Sequence, residues 1–128
     1  MARAVERIYR EMEQVFRAHG ITSPQFDVLA TLTRHGPLMQ QALAAHLLVT
    51  KGNVSYIVSR MEAAGLLDRA TDPQDPRANR LSLTARGRAL YERIMPDHDV
   101  VLSARFERLD AEALQALVRA VRTLDAES

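Results

Sequence analysis

The chain has 128 residues, of which 47% are hydrophobic, which is enough for one compact domain with a real core but too little for two. It contains no cysteine, which excludes disulfides, thiolate metal sites, cysteine nucleophiles and thiol redox sensing and makes a reducing cytoplasm the simplest location. No apolar run approaches the roughly 20 residues of a membrane-spanning helix, and a net charge of +1 gives no strong overall preference for anionic partners.

Two helices are predicted before residue 36. The first covers residues 3–18 and ends at Gly20. Its apolar side chains recur at helical spacing, and they are Val5, Ile8, Tyr9, Met12, Val15 and Phe16. In the second helix Ser23 is the predicted cap, Pro24 suits the first turn, and Gly36 with Pro37 ends it. Its predicted inner face consists of Phe26, Leu29, Ala30 and either Leu32 or Thr33.

Residues 38–65 predict a pair of helices joined by a short connection. The first runs over residues 38–48, with Leu38, Leu43, Ala44 and Leu47 facing inward. Thr50 then caps a second helix, which ends at Gly65. Its inward residues follow the i, i+3, i+4, i+7 pattern, and they are Val54, Ile57, Val58 and Met61. Two helices in this arrangement form a helix-turn-helix.

The stretch "DRATDPQDPRANRLSLT", residues 68–84, predicts a β-hairpin. Its two prolines and three aspartates argue against a helix. Leu66 and Leu67 precede it, and alternation of Leu81, Ser82 and Leu83 follows. The prediction places Arg77 and Arg80 near the tip of this hairpin.

Two more helices are predicted after the hairpin. The first is capped by Thr84 and carries Ala85, Leu90 and either Ile94 or Met95 inward, and Pro96 should kink or break it. The last begins at Asp110, where Leu109 and Leu114 have the spacing of a hydrophobic staple. It continues through apolar residues that form one stripe, namely Leu117, Val118, Val121 and Leu124.

The helices over residues 3–18 and 110–125 have apolar stripes wider than a small middle domain needs. Short chains with long terminal helices commonly bury them across a two-fold axis, so we expect a homodimer. The alternative is that both helices pack on their own monomer.

This element order predicts a fold that is mainly α with a small β-hairpin wing: a winged helix-turn-helix with N- and C-terminal dimerisation helices. The second helix of the pair fits the major groove of double-stranded DNA, and arginines on the wing suit the potential of the minor groove. The outward face of that helix is small or hydrogen-bonding and carries no acid before Glu62, whereas a solvated face would carry more Glu and Lys. Charge supports this modestly, because residues 36–90 carry seven basic and four acidic side chains.

These motifs resemble the MarR family of bacterial transcription regulators over essentially the whole chain. "NVSYIVSRMEAAGLLDR" resembles the family's recognition helix running into the first wing strand, and "DPQDPRANRLSLTARG" resembles its wing signature. The resemblance implies one domain over residues 1–128, with dimerisation helices in 1–20 and 97–128 and a winged helix-turn-helix lobe in 21–96. The residues then expected to contact DNA are Thr50, Lys51, Gly52, Asn53, Ser55, Tyr56, Arg60, Arg77, Asn79 and Arg80.

The resemblance also implies a homodimer on a pseudo-palindromic operator, usually a repressor, released by a small and often aromatic ligand. That ligand binds between the dimerisation helices and the DNA-binding lobes. Three departures from the family pattern are visible: Pro76 replaces a second wing arginine, Met39 replaces a capping threonine, and Gly52 and Tyr56 replace commoner serine or threonine and arginine. The first and third bear on base specificity.

An effector cleft is predicted along one side of the first helix, lined by Tyr9, Met12, Phe16 and His19. The effector would be a small aromatic or amphipathic molecule. Aromatic and methionine stripes are, however, more often core than ligand site.

Other function classes receive less support from the sequence. No serine lies in a nucleophile-elbow context and no glycine-rich loop could hold phosphates, so we expect neither an enzyme nor a cofactor. Asp97, His98 and Asp99 are the best metal candidates, but adjacent residues rarely all reach one ion, and no metal site is predicted. The alternatives left open are a winged-helix module that binds another protein without specific DNA binding, and a metal-responsive regulator.

Overall fold

The computed structural model describes residues 2–47, 51–106 and 111–127, excluding the side chains of residues 2–5, 51–52, 72, 76–78, 105–106, 111–114 and 125–127. The described residues form six helices and three strands. In chain order these are α1 (Ala2–Ala18), α2 (Ser23–His35), β1 (Leu38–Met39), α3 (Gln40–His46), α4 (Lys51–Ala63), β2 (Leu67–Asp72), β3 (Asp75–Leu83), α5 (Ala85–Phe106) and α6 (Ala111–Glu127). The predicted fold, mainly α with a β-hairpin wing, is confirmed.

The start of α2 differs by one residue from the prediction. Thr22, not Ser23, is the N-cap: its side chain accepts a hydrogen bond from the Gln25 backbone N–H, and the Gln25 side chain accepts one from the Thr22 N–H. This reciprocal capping box satisfies two backbone donors that the helix leaves unpaired. Pro24 lies in the first turn, and Gly36 ends the helix with a φ of 76°.

The helix predicted over residues 38–48 is shorter, because its first two residues form a strand. Leu38 pairs with Leu81 and Met39 pairs with Arg80, both on β3. Pro37 has no backbone N–H to donate and cannot continue the helix, and pairing with β3 then places Leu38 and Met39 in the sheet. Met39 occupies the N-cap position of α3 without a side-chain hydrogen bond.

The predicted wing is confirmed as an antiparallel hairpin of β2 and β3, and β1 completes a three-stranded sheet in the order β1, β3, β2. A register irregularity follows Thr71, next to the turn at Pro73 and Gln74. Thr84 caps α5 as predicted, since its Oγ1 accepts from the Gly87 N–H at 3.0 Å and donates to the Gly65 carbonyl at 2.7 Å.

Of the two predicted effects of Pro96, a kink or a break, the break is wrong. One helix, α5, runs from Ala85 to Phe106 through Pro96. Proline removes one intrahelical hydrogen bond, but Ile94 is fully buried before it and Val101 packs on the core after it, so tertiary contacts hold both halves. Ala85, predicted to face inward, is exposed.

The core lies where α1, α2, α4 and α5 meet the sheet. Most predicted inward positions are buried in it, although Thr33 is exposed while Leu32 is buried. The largest fully buried side chains are Leu29, Leu43, Met61, Leu67, Leu81, Ile94, Val28, Val54 and Val58. This shared core fixes the position of α4 relative to the wing.

The terminal helices differ in how far they join that core. Met12 and Phe16 bury α1 against it, with Ile8 and Val15 packed beside them. On α6, in contrast, Val121 is 51% exposed and Leu124 is 46% exposed within the single chain. No helix among the described residues is both long and apolar enough to cross a membrane.

Candidate nucleic-acid interface

Helix α4 presents one apolar and one polar face, as predicted. Val54, Val58 and Met61 are fully buried, and this fixes the rotation of the helix about its axis. The polar residues on the opposite face are all exposed, and they are Asn53, Ser55, Tyr56, Ser59 and Arg60. A rigid helix with an exposed face of hydrogen-bonding side chains has the form that enters a major groove.

Tyr56 is 63% exposed and lies one turn before Arg60. Arg60 Nη1 donates to the Tyr56 hydroxyl at 3.2 Å, and its guanidinium carbon lies 5.6 Å from the ring centroid. The tyrosine oxygen therefore accepts a hydrogen bond from the arginine, and the phenolic O–H remains available as a donor.

The wing supplies further polar groups, but one lies elsewhere than predicted. Arg80 is exposed, yet it stands in the middle of the sheet, opposite Met39 on β1 and Ala70 on β2, rather than near the hairpin tip. The reason is that β3 is nine residues long, which carries Arg80 well away from the turn. Asn79 is half-buried and pairs with Thr71.

Several predicted contact residues lie partly or wholly outside the described part of the chain. Thr50 lies outside it. The predicted start of the last helix, at Leu109 and Asp110, also lies outside it. Lys51 and Gly52 form the first turn of α4, and Arg77 lies on β3, but the side chains of Lys51 and Arg77 are outside the described set. Their contacts with DNA stay a prediction.

Two polar residues behind the α4 face, Gln40 and Arg69, were not identified from the sequence. Gln40 Nε2 donates to Ser55 Oγ at 2.9 Å, and Arg69 Nη1 donates to Gln40 Oε1 at 3.4 Å. Arg69 Nε also lies 3.5 Å from Glu62 Oε2. The strand alternation that places Arg69 on the same face as Leu67 was the available signal.

The four residues predicted to bind an effector have different environments. Met12 and Phe16 are in the core, where Phe16 stacks on Phe26 with ring centroids 4.5 Å apart. Tyr9 is 66% exposed. His19 Nε2 lies 2.9 Å from Asp97 Oδ2, an ion pair when the histidine is protonated, and this ties the end of α1 to α5. Their role in ligand binding stays a prediction.

The Asp97, His98 and Asp99 side chains engage separate partners. Asp97 pairs with His19, while His98 Nδ1 lies 3.3 Å from Asp99 Oδ1 and its ring contacts Phe26. Within the described ranges, no group of three or more His, Cys, Asp or Glu side chains could hold a metal ion. The geometry of Asp97, His98 and Asp99 therefore does not support the metal-responsive alternative.

A cavity of about 370 Å³ opens between α2, α3 and α5. Its lining includes His35 and His46, whose rings stack with centroids 4.3 Å apart, together with Arg34 and Tyr91. This volume lies at the low end of the range of small-molecule sites. The cavity was not expected from the sequence, because its walls come from three separate elements.

Comparison with known proteins agrees with this geometry. The MarR family model matches residues 19–78, from the end of α1 into β3. A curated relative from Bacillus subtilis, the uncharacterised helix-turn-helix transcriptional regulator YkoM, is 30% identical over 117 residues, covering 91% of this chain and 76% of the relative.

Two solved structures extend the likeness to nearly the whole chain. Bordetella bronchiseptica BpsR, whose DNA binding is regulated by 6-hydroxynicotinic acid, has 27% identity and a TM-score of 0.82, with 97% of this chain and 89% of that one covered. NadR in complex with 4-hydroxyphenylacetate has 29% identity and a TM-score of 0.77, with 96% and 87% covered. Relatives of this kind are regulators and not enzymes. The chain therefore belongs to the MarR family of helix-turn-helix transcriptional regulators.

Proposed function

We propose that this regulator binds an inverted-repeat operator as a homodimer, represses transcription there, and is released by a small aromatic or amphipathic effector. The observation that carries the proposal is the exposed face of α4, which offers hydrogen-bonding groups and one arginine while its opposite face is fully buried. If α4 instead bound an acidic or apolar surface of a protein partner, its exposed face would need a different set of side chains.

In this proposal the α4 face and the wing contact different parts of the DNA. Asn53, Ser55 and Tyr56 approach base edges in the major groove, where each base pair has its own pattern of donors and acceptors. Arg77 and Arg80 on β3 act on the phosphate backbone and the minor groove, which attract positive charge without reading every base.

The dimer is supported by the exposed stripe on α6. Val121, Leu124 and their neighbour Val118 leave a continuous apolar surface in the single chain. A second copy that pairs through this stripe and α1 removes it from water, and the two α4 helices then read half-sites about one helical turn, roughly 34 to 36 Å, apart.

The effector is proposed by analogy with BpsR and NadR, whose ligands both carry an aromatic ring and a carboxylate. Two places are proposed for such a molecule: the predicted cleft along Tyr9, Met12, Phe16 and His19, and the cavity beside His35 and His46. The second contains Arg34, a suitable counter-ion for a carboxylate.

Selection of duplexes from a random library by the purified protein tests the DNA-binding part. We expect enrichment of an inverted repeat, with affinity that falls steeply as salt rises. Binding with no sequence preference, or no binding in low salt, would instead favour the winged-helix module that binds another protein. Adding aromatic carboxylates to the selected complex then tests release, with Tyr9→Ala and His46→Ala separating the two candidate sites.

A further inference from the structure

A chain of polar contacts links the wing to the DNA-facing side of α4. It begins at Glu62 on α4, passes through Arg69 on β2 and Gln40 at the start of α3, and ends at Ser55, again on α4. All four side chains lie within the described part of the protein. Here they are called the Ser55 relay.

The chemistry of the relay fixes which way the Gln40 amide points. Arginine is only a donor, so the Gln40 atom that faces Arg69 at 3.4 Å must be the carbonyl oxygen. The amide nitrogen then faces Ser55 at 2.9 Å and donates to its hydroxyl oxygen. Turning the amide over would set two donors against each other at Arg69.

Arg69 is held in place by the sheet and by burial. It pairs with Leu81 and alternates with Leu67, so it lies on the side of the wing that faces the core rather than on the outer side. Its Nε is buried with no hydrogen-bond partner in the described structure, and the Glu62 carboxylate at 3.5 Å compensates its charge. The Arg69 side chain is half-buried, and its contacts with Glu62 and Gln40 hold the guanidinium beside α3 and α4.

We infer that the relay makes Ser55 a hydrogen-bond donor toward DNA, and that Gln40 is therefore a specificity-determining residue that touches no base. The Ser55 hydroxyl accepts from Gln40, which occupies one of its two lone pairs on its protein side. The hydroxyl hydrogen and the second lone pair are left for the groove. The outward O–H then binds acceptor edges, such as N7 and O6 of guanine or O4 of thymine.

This inference rests on the proposed function and names a determinant within the same site. It also explains why a serine, which by itself can donate or accept, could discriminate between bases. Serine is permissive when free to rotate, but a fixed donor on one side restricts the direction of its own O–H.

The most direct test exchanges donor and acceptor in the hydrogen bond between Gln40 and Ser55. In Gln40→Glu the carboxylate pairs with Arg69 and can only accept from Ser55, so the serine turns its hydrogen inward and offers lone pairs to the DNA. Gln41→Glu is the matched control, because Gln41 is the next residue of α3, is exposed, and undergoes the same charge change. Both variants, Ser55→Ala and the wild type are taken through the same duplex selection.

We expect Gln40→Glu to change base preference by about 3- to 10-fold at the positions that Ser55→Ala also alters, the range of one hydrogen bond. Gln41→Glu should lower affinity without changing the pattern. In the Ser55→Ala background, adding Gln40→Glu should produce no further change in preference. The inference is overturned if Gln40→Glu selects the wild-type sequence, or if its effect persists without Ser55.

A measurement without DNA separates the relay from the proposed function. The side-chain amide resonances of Gln40 in the free protein should shift in Ser55→Ala and in Arg69→Met, and stay unchanged in Ser59→Ala, which alters an exposed serine one turn along α4. Unchanged amide resonances with intact operator selection would refute the relay alone. Loss of selection by the wild type would refute the proposed function, and the inference with it.

Discussion

Arg60 and Tyr56 form a stacked and hydrogen-bonded pair on the exposed face of α4, with Nη1 3.2 Å from the phenolic oxygen. The pair restricts a large side chain that would otherwise move freely on the surface. Restricting it before binding lowers the entropy lost when the helix enters the groove. The exposed position of both residues makes them accessible to DNA at the same time.

Tyr56→Phe should lower operator affinity by about 2- to 10-fold, because it removes a hydroxyl donor and keeps the ring. Arg60→Ala should lower affinity and also release the ring, so the double variant should lose less than the two single losses together. Titration of labelled operator by the four proteins measures this. Strictly additive losses would show that the pair does not act as a unit on DNA.

Asn53→Ala and Arg77→Ala should weaken DNA binding in different ways. Asn53→Ala should cost about 1 to 3 kcal/mol on the operator with little effect on random duplex, because a bidentate contact with adenine carries discrimination. Arg77→Ala should weaken both and reduce the slope of log K against log salt by about 1 to 2 per dimer, from roughly 0.9 per phosphate. Arg122→Ala, on α6, is the control for charge. Equal losses on both duplexes for both variants would contradict this assignment.

The helices and the wing could be predicted because their signals are local. The buried spacing of Val54, Val58 and Met61 gave the rotation of α4, and with it the exposed Asn53 and Tyr56. Each of these signals lies within one element, where side-chain period and secondary structure are directly linked.

What could not be predicted depends on contacts between distant elements. Leu38 reads as helical, but its pairing with Leu81 makes it a strand. Pro96 breaks a local rule and is tolerated because Ile94 is buried in the core. Gln40 and Arg69 are 29 residues apart, and nothing in the periodicity of either segment relates them.

Gly87 should not tolerate a side chain. It lies in the first turn of α5, and a Cβ there would collide with the Leu66 carbonyl oxygen. Alanine is normally better than glycine in a helix by up to about 1 kcal/mol, so a loss of stability on Gly87→Ala would reveal the clash. We expect a loss of about 1 to 3 kcal/mol by denaturant unfolding. Ala89→Gly, an exposed site on the same helix, should lose only about 1 kcal/mol. A stabilised Gly87→Ala would refute the close approach.

Val121→Asp should convert the proposed dimer to monomers, or to unfolded chains if fold and dimer are inseparable, because it puts a charge in the apolar stripe of α6. Gln115→Asp is the control, since Gln115 is exposed and lies on the other side of this helix from Leu117. Light scattering over a dilution series measures both. A wild type that is monomeric at micromolar concentration would remove the dimer, and the two-fold operator with it.

Asp27 should make stability fall as the pH rises through about 6. Although much of this residue is exposed, desolvation of its carboxyl by the surrounding protein raises its pKa from 3.8 to about 6. Between these values the folded state keeps a proton that the unfolded state has lost, so this group's contribution is fully present below pH 3.8 and is lost above 6. Asp27→Asn removes that dependence. The difference in Tm, variant minus wild type, should therefore become more positive from pH 4.5 to 7.5, by an amount worth less than about 1 kcal/mol because water screens the exposed side chain. Carbon NMR of the Asp27 carboxyl measures the pKa directly, and an inflection near pH 4 would contradict the prediction.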